Sequence, residues 1–388
     1  MANVMDYLVW RGEFGLELSP WNEVDALMFS VVSYLDFEKA DGEEGKTLRQ
    51  IKEESLLPDM MPQSAFLHRK KLCEAMAESP RFRDVKVHHF ISITEKEAEI
   101  QFCAMCFDLP DGTLCVAFRG TDSTIVGWRE DLNMSLLDPV PAQEAARFYL
   151  QRAAETTDRP LRLVGHSKGG NMAAFASACV PPEVQDRIID IYSFDGPGMS
   201  PEIFQSEGYQ RIVGKIRSFV PQTSVVGMMM EYHRAYRVVR SNASGIQQHE
   251  PLTWQVYGPH FEELPHIDET AKTISATLHE WLQRSNPEER EAFVDTVFQM
   301  LESTKASTVG ELVGDKFRNL RTVLESTREI DPEMRKASTK LVNLFISLGL
   351  GNVVDLVRSR RGEAKEGKES PEENEPGENG QTGTGLKD

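Results

Sequence analysis

The spacing of apolar residues along the chain changes period twice. Near the N-terminus Val24, Leu27, Met28, Val31 and Leu35 recur at intervals of three and four. That is one face of a helix, here behind Ser19-Pro20, with proline tolerated in the first turn. After a polar break at 41–45, residues 62–77 predict a second helix, which Ser79-Pro80 ends. The period then shortens. Residues 85–93 and 98–109 are rich in β-branched and aromatic side chains, and Pro110-Asp111-Gly112 makes a turn into 114–118. A sheet entered through antiparallel strands follows from this pattern. Residues 143–156 predict a helical crossover, 161–165 a strand, and 188–194 and 215–220 two further apolar strands. Strand and helix alternating in this way imply a parallel central sheet. Residues 238–240 and 254–257 predict the last strands, with an Asn/Ser/Gly-rich loop between them.

From about Pro265 the helical period returns. Ile267, Ala271, Ile274, Leu278 and Leu282 share one face, and Asn286-Pro287-Glu288-Glu289 is an N-cap signal ahead of Phe293, Val297 and Leu301. Residues 341–357 are apolar but broken by Asn343, Gly349, Gly351 and Asp355, which suits packed helices better than a membrane anchor. From Gly362 onward the Glu/Gly/Pro/Asn composition cannot bury enough apolar surface to fold. The expected organisation is an α/β domain over 1–264 (helical over 1–80), a helical region over 265–360 and a disordered acidic tail over 361–388. No internal repeat is visible.

Composition narrows the class. Of 388 residues, 40% are hydrophobic and 27% charged, as in globular domains. The net charge of −18 argues against nucleic acid and anionic membrane surfaces as partners. The eight acidic residues and three lysines after Arg361 account for −5 of it, so the rest of the chain is itself acidic. Five cysteines suit a reducing compartment better than a disulfide framework. Cys103 and Cys106 stand three apart in a predicted strand and so point to opposite faces, which predicts buried structural thiols rather than a shared metal or redox pair. No basic region precedes an apolar core at the N-terminus, and no run reaches the roughly 18 apolar residues of a membrane span. A cytoplasmic protein without a transmembrane segment is the expectation.

The chemistry centres on Gly165-His166-Ser167-Lys168-Gly169-Gly170, between an apolar strand and the small-residue helix begun by Met172-Ala173-Ala174. A strand-to-helix turn this tight exposes the serine, and any side chain at Gly165 or Gly169 would collide with the turn. The first helical turn also aims free backbone N–H groups at whatever the serine attacks. Acyl transfer by a serine needs an oxyanion hole, a general base and a group that orients the base, in the chain order serine, acid, histidine. Lys168 supplies one N–H. Gly120-Thr121, at the end of strand 114–118, is either the second donor or a plain strand-ending turn. Among nine histidines, His68, His233 and His279 fall on predicted helices, and His88 and His89 on an early strand. His166 should be turned away by the elbow. His249, His260 and His266 follow the sheet, and His249, just before a predicted strand, is the best placed. Asp195, past the strand 188–194, either orients the base or caps the next turn.

These residues resemble a known family. Val116-Ala117-Phe118-Arg119-Gly120-Thr121-Asp122, Trp128, Asp131, the Gly165–Gly170 elbow, Phe194-Asp195-Gly196-Pro197-Gly198 and Val220-Pro221-Gln222 are similar to class 3, fungal-type lipases. More closely, the chain resembles the Mbeg-like branch of those α/β-hydrolases, a likeness that takes in Trp21-Asn22-Glu23-Val24-Asp25-Ala26-Leu27 and His249-Glu250-Pro251-Leu252-Thr253-Trp254 and spans roughly residues 1–260. The resemblance implies an α/β-hydrolase-like, mostly parallel sheet with flanking helices. It implies Ser167 as nucleophile, His249 as base, Thr121 and Lys168 at the oxyanion hole, a small-molecule ester or lipid as substrate, and no metal or organic cofactor. One departure stands out: Ser224 occupies the place of the lipases' triad carboxylate. Either Asp195 takes that role from the preceding strand end, or the site is a weakened Ser–His pair. Lys168 also stands where an apolar residue is usual. The helices before residue 80 and after 265, with Met228-Met229-Met230, form either a lid or acyl groove, or core packing. The rival to a serine esterase is a catalytically silent hydrolase-fold binding or scaffold protein that uses the C-terminal helices and acidic tail for partners.

Overall fold

A computed structural model describes residues 2–42, 44–56, 64–121, 130, 133, 134, 139–224, 226–228, 235–269, 271, 272, 276 and 286. The expected helical region 265–360, the tail 361–388 and the helix around His233 therefore lie almost wholly outside the described residues, as do Asp122, Trp128 and Asp131.

The helix behind the first apolar stripe, α2 (Glu23–Val32), follows α1 (Val4–Arg11) and has every residue buried. Its cap is Asn22, three residues later than Ser19-Pro20 suggested. Asn22 Oδ1 accepts from the N–H groups of Val24 and Asp25, and the Asp25 carboxylate accepts from the Asn22 N–H in return. The Ser19 carbonyl accepts from buried Arg81 instead, so that segment serves the loop rather than the helix. Next come β1 (Lys46–Thr47), α3 (Leu48–Glu53) and α4 (Ser64–Glu78), the last matching the second helical stripe.

Strands β2 (Lys86–Glu95), β3 (Ile100–Asp108) and β4 (Leu114–Phe118) form the antiparallel entry. The chain then crosses through α5 (Pro141–Glu155) to β5 (Leu161–His166), and through α6 (Lys168–Cys179) to β6 (Ile188–Phe194). Strands β7 (Ile216–Pro221) and β8 (Tyr236–Val239) complete five consecutive parallel strands, β4 to β8. The nine-stranded sheet has the order β1-β2-β3-β4-β5-β6-β7-β8-β11, where β11 is Glu263–Leu264. This is the α/β-hydrolase-like arrangement expected from the sequence. Among the described residues, no helix is long and apolar enough to cross a membrane.

The last strand differs from the expectation. Val256–Tyr257 (β9) pairs with His260–Phe261 (β10) in a separate hairpin, and β11 closes the edge by running antiparallel to β8. The Trp254 side chain is fully buried against Phe194 and Phe261, and backbone hydrogen bonds join 253–255 to 240–242 just past the end of β8, with Trp254 bridged to Ser241.

Period-two alternation sorts each strand between two cores. Cys103, Met105 and Phe107 face the side covered by α1, α2 and α4, whereas Phe102, Ala104 and Cys106 face α5 and α6. Cys103 and Cys106 thus lie on opposite faces as their spacing requires, and all five thiols are free. At the C-terminal ends of the parallel strands the chain leaves the sheet through Gly120-Thr121, Ser167, Asp195 and Ser224. Open α/β sheets build their sites at that edge.

Candidate active site

Ser167 is the N-cap of α6, with φ 58° and ψ −131°, a conformation that costs a non-glycine residue about 1–3 kcal/mol. The surroundings hold it there. Its N–H donates to the Phe194 carbonyl at 2.9 Å, and its own carbonyl accepts from Gly170 N–H at 2.9 Å. A Cβ at Gly165 would overlap the backbone of Gly169, and one at Gly169 would overlap the Phe118 carbonyl, so the elbow closes only with glycine at both positions. The loop after β4 passes as closely. A Cβ at Gly120 would overlap Tyr34 Oη and would stand 3.2 Å from the Ser167 Cβ. Thr121, the next residue, has a buried Oγ1 with no hydrogen-bond partner among the described residues. Lys168 is the first helical residue, and no helical carbonyl precedes it to accept its N–H. The two groups expected to receive an oxyanion therefore lie in the segments that flank Ser167.

Asp195 and His249 come together. His249 Nδ1 lies 2.6 Å from Asp195 Oδ2, and Asp195 is only 1% exposed. The other carboxylate oxygen, Oδ1, accepts from Ser224 Oγ at 2.5 Å and from Gly227 N–H at 3.1 Å. Ser224 is thus not a gap in the site but a donor to a carboxylate carried one strand earlier. Asp195 reaches this place from a left-handed backbone, φ 50°, with its N–H held by the Phe219 carbonyl at 2.7 Å. With Nδ1–H donated to the carboxylate, Nε2 is left as the basic nitrogen of His249. His249 ends a short 3-10 turn, Gly245–His249, and the next residue, Glu250, is tied to Arg69 at 2.8 Å.

A support to His249 that the sequence alone did not reveal is His166. The elbow does turn its ring inward, and there it lies against His249, with ring centroids 4.6 Å apart. His166 Nε2 donates to the His249 carbonyl at 2.8 Å, and Nδ1 accepts from Tyr34 Oη at 3.0 Å. Burial, and then the proximity of His249, hold the His166 pKa well below the usual imidazole value, so the ring is neutral. A carbonyl can only accept, which fixes the proton on Nε2 and makes Tyr34 the donor to Nδ1. Nothing in the spacing of Tyr34 and His166 announces this contact; only the elbow motif brings His166 to notice.

The neutral state has a measurable consequence. The unfolded chain protonates His166 near the ordinary imidazole value of about 6.5, but the folded protein resists protonation. The unfolded state therefore binds more protons as pH falls below about 6.5, and stability drops by up to about 1.4 kcal/mol per pH unit. In His166→Gln that contribution is absent. Urea midpoints of the variant should fall less steeply than those of the wild type between about pH 6.5 and 5; parallel curves would contradict a buried neutral His166.

The side chain of Lys168 is also accounted for. Its Nζ is buried and donates to the Gln101 carbonyl at 2.7 Å, to Gln101 Oε1 at 2.8 Å and to Glu130 Oε2 at 3.0 Å. Glu130 further accepts from the N–H groups of Gln101 and Ala142, each at 2.8 Å. This buried ion pair fastens the elbow to β3 and to the start of α5. Lys168→Met would leave the Glu130 carboxylate buried without its cation, an expected loss of about 3–5 kcal/mol. Equilibrium urea unfolding measures it, and a loss below about 1 kcal/mol would show the pair to be dispensable.

Among the described residues, the grouping of His, Cys, Asp or Glu side chains with metal-ligand spacing lies elsewhere, at His88, His89 and Cys106.

A family model described as Mbeg1-like matches residues 76–299. Two solved structures are similar at low identity. The crystal structure of M37 lipase is 13% identical with a TM-score of 0.34, over 52% of this chain and 67% of that one. The Rhizomucor miehei lipase propeptide complex is 16% identical with a TM-score of 0.34, over 61% of this chain and 72% of that one. Among proteins of curated function, none matches.

Proposed function

The chain belongs to the Mbeg1-like family, and from that premise we propose that it is a serine hydrolase that cleaves carboxylic esters, acyl lipids among them. Ser167 Oγ attacks the acyl carbon while His249 Nε2 takes its proton. Asp195 keeps the Nδ1 proton in place and offsets the charge of the imidazolium so formed. The tetrahedral oxyanion is received by the backbone N–H of Lys168 and by the N–H and hydroxyl of Thr121. Collapse expels the alcohol, which carries away the proton from His249 and leaves Ser167 acylated. Water then repeats the cycle: His249 takes its proton, the hydroxide adds to the acyl carbon, and the acid leaves with Ser167 restored.

The observation that carries this reading is the 2.6 Å contact of His249 Nδ1 with a buried Asp195 that is itself held by Ser224 and Gly227. Three hydrogen bonds on one carboxylate, beside a strained serine, are more than a turn cap requires. The rival, a silent scaffold, is favoured where no carboxylate stands near His249, and here Asp195, beside Ser224, contacts it. A fluorophosphonate probe tests the proposal: the folded protein should be labelled on Ser167, as read by peptide mass mapping. Protein that stays unlabelled, and that hydrolyses no member of a panel of esters from acetyl to long-chain acyl, would leave the scaffold reading in possession.

A further inference from the structure

Strand β2 breaks its own alternation at His88 and His89. Consecutive residues of a strand face opposite sides of the sheet, yet these two imidazoles meet, Nδ1 to Nδ1 at 3.0 Å. The backbone is the cause. His89 has a φ of 54°, and the register of β2 against β3 shifts between His88 and Ile91. Such a bulge re-aims a side chain, here the second ring onto the side of the first. Across the ladder His88 is paired directly with Cys106 of β3. One nitrogen from each histidine and the Cys106 Sγ all lie within 4.8 Å of one another.

We propose that His88, His89 and Cys106 form a binding site for one borderline-soft cation of the Zn²⁺ type. Two imidazoles and a thiolate suit such an ion and not a hard cation such as Mg²⁺ or Ca²⁺. Tetrahedral bonds of about 2.0–2.1 Å to nitrogen and about 2.3 Å to sulfur put the ligand atoms roughly 3.3–3.6 Å apart. The sulfur therefore needs to approach the nitrogens by roughly 1.2 Å at most, and the two nitrogens, 3.0 Å apart, to open slightly. The surroundings are those of a ligand histidine. Asp108 Oδ1 lies 3.2 Å from His88 Nε2, which places the proton there and leaves the Nδ1 lone pair facing His89. Arg159 holds that carboxylate at 2.6 Å. Tyr149 Oη donates to the His89 carbonyl at 2.7 Å and lies 3.4 Å from Cys106 Sγ, so it braces both the bulge and the sulfur. His89 is exposed, which gives a cation a path in and leaves room for a fourth ligand from solvent. On ligation the thiol proton passes to solvent. The ion would pin the distorted β2 to β3, two and three strands away from β5 and its elbow, and takes no part in the ester chemistry.

Full-length protein stripped with a chelator and titrated with Co²⁺ tests the site. The expected result is one equivalent bound, with a thiolate charge-transfer band in the near ultraviolet and tetrahedral d–d bands, both bleached by one equivalent of Zn²⁺. Cys106→Ser should lose the charge-transfer band, and His89→Gln and Asp108→Asn should each weaken binding by about tenfold or more. Cys103→Ser, on the opposite face, should bind as the wild type does. Should Cys106→Ser not fold, His89→Gln carries the test, since its side chain is at the surface. Absence of a charge-transfer band at stoichiometric Co²⁺, or binding unchanged in His89→Gln, overturns the proposal and leaves a plain hydrogen bond between two histidines.

Discussion

Ser167→Ala is expected to lower kcat for ester hydrolysis by about 10⁴–10⁶-fold, with KM little changed. The asymmetry follows from what the hydroxyl does. It contributes almost nothing to binding the acyl and alcohol portions of a substrate, yet the whole covalent pathway passes through it. What remains should be catalysis by the oxyanion donors and by binding alone. The backbone at this position is strained in either case, because alanine is no better suited than serine to φ 58°. The fold is held by Gly165, Gly169 and the Phe194 carbonyl rather than by the serine side chain. Circular dichroism and a urea midpoint should therefore match the wild type within about 1 kcal/mol. Steady-state kinetics on a soluble acyl ester are the measurement. A variant that retains activity within tenfold of the wild type would remove Ser167 from the reaction.

The second large effect is expected at Asp195. Asp195→Asn conserves size, and asparagine tolerates the left-handed backbone that this position requires. Only the charge and the acceptor pattern change. The amide can offer an N–H toward His249 Nδ1, which selects the tautomer with its proton on Nε2, the nitrogen that must accept from serine. A loss of about 10⁴-fold in kcat is expected from this wrong tautomer and the missing countercharge. Because Asp195 touches His249 and not the substrate, KM should move far less than kcat. The same measurement discriminates the alternatives: a loss below tenfold would mean that the site works as a Ser–His pair without a carboxylate. The two variants share one pathway, so Ser167→Ala/Asp195→Asn should be little worse than Ser167→Ala alone.

The features legible in the chain itself are those whose physics is contained in neighbouring residues. Runs of β-branched, aromatic and other apolar residues bounded by turn signals located strands β2 to β7 to within a few residues, and the period of two of any pleat sent Cys103 and Cys106 to opposite faces. The elbow was legible because the collision that demands Gly165 occurs within five consecutive residues, whereas Gly169 is demanded by the Phe118 carbonyl of the neighbouring strand. The tertiary structure decided everything that depends on one distant group finding another. Asp195 contacts an imidazole rather than only its own turn because His249, 54 residues later, meets it. Lys168 looked out of place until Gln101 and Glu130, 67 and 38 residues earlier, enclosed it. Tyr34 is 132 residues from His166, and no local preference of either foretells their contact. The final strand of the sheet likewise went to β11, while 254–257 paired with β10 and, at Trp254, with Ser241, because each short segment could pair with more than one distant partner. Periodicity and turn sterics act within a few bonds of a residue. Partner choice is made by the closed fold, which alone brings such side chains within hydrogen-bonding distance.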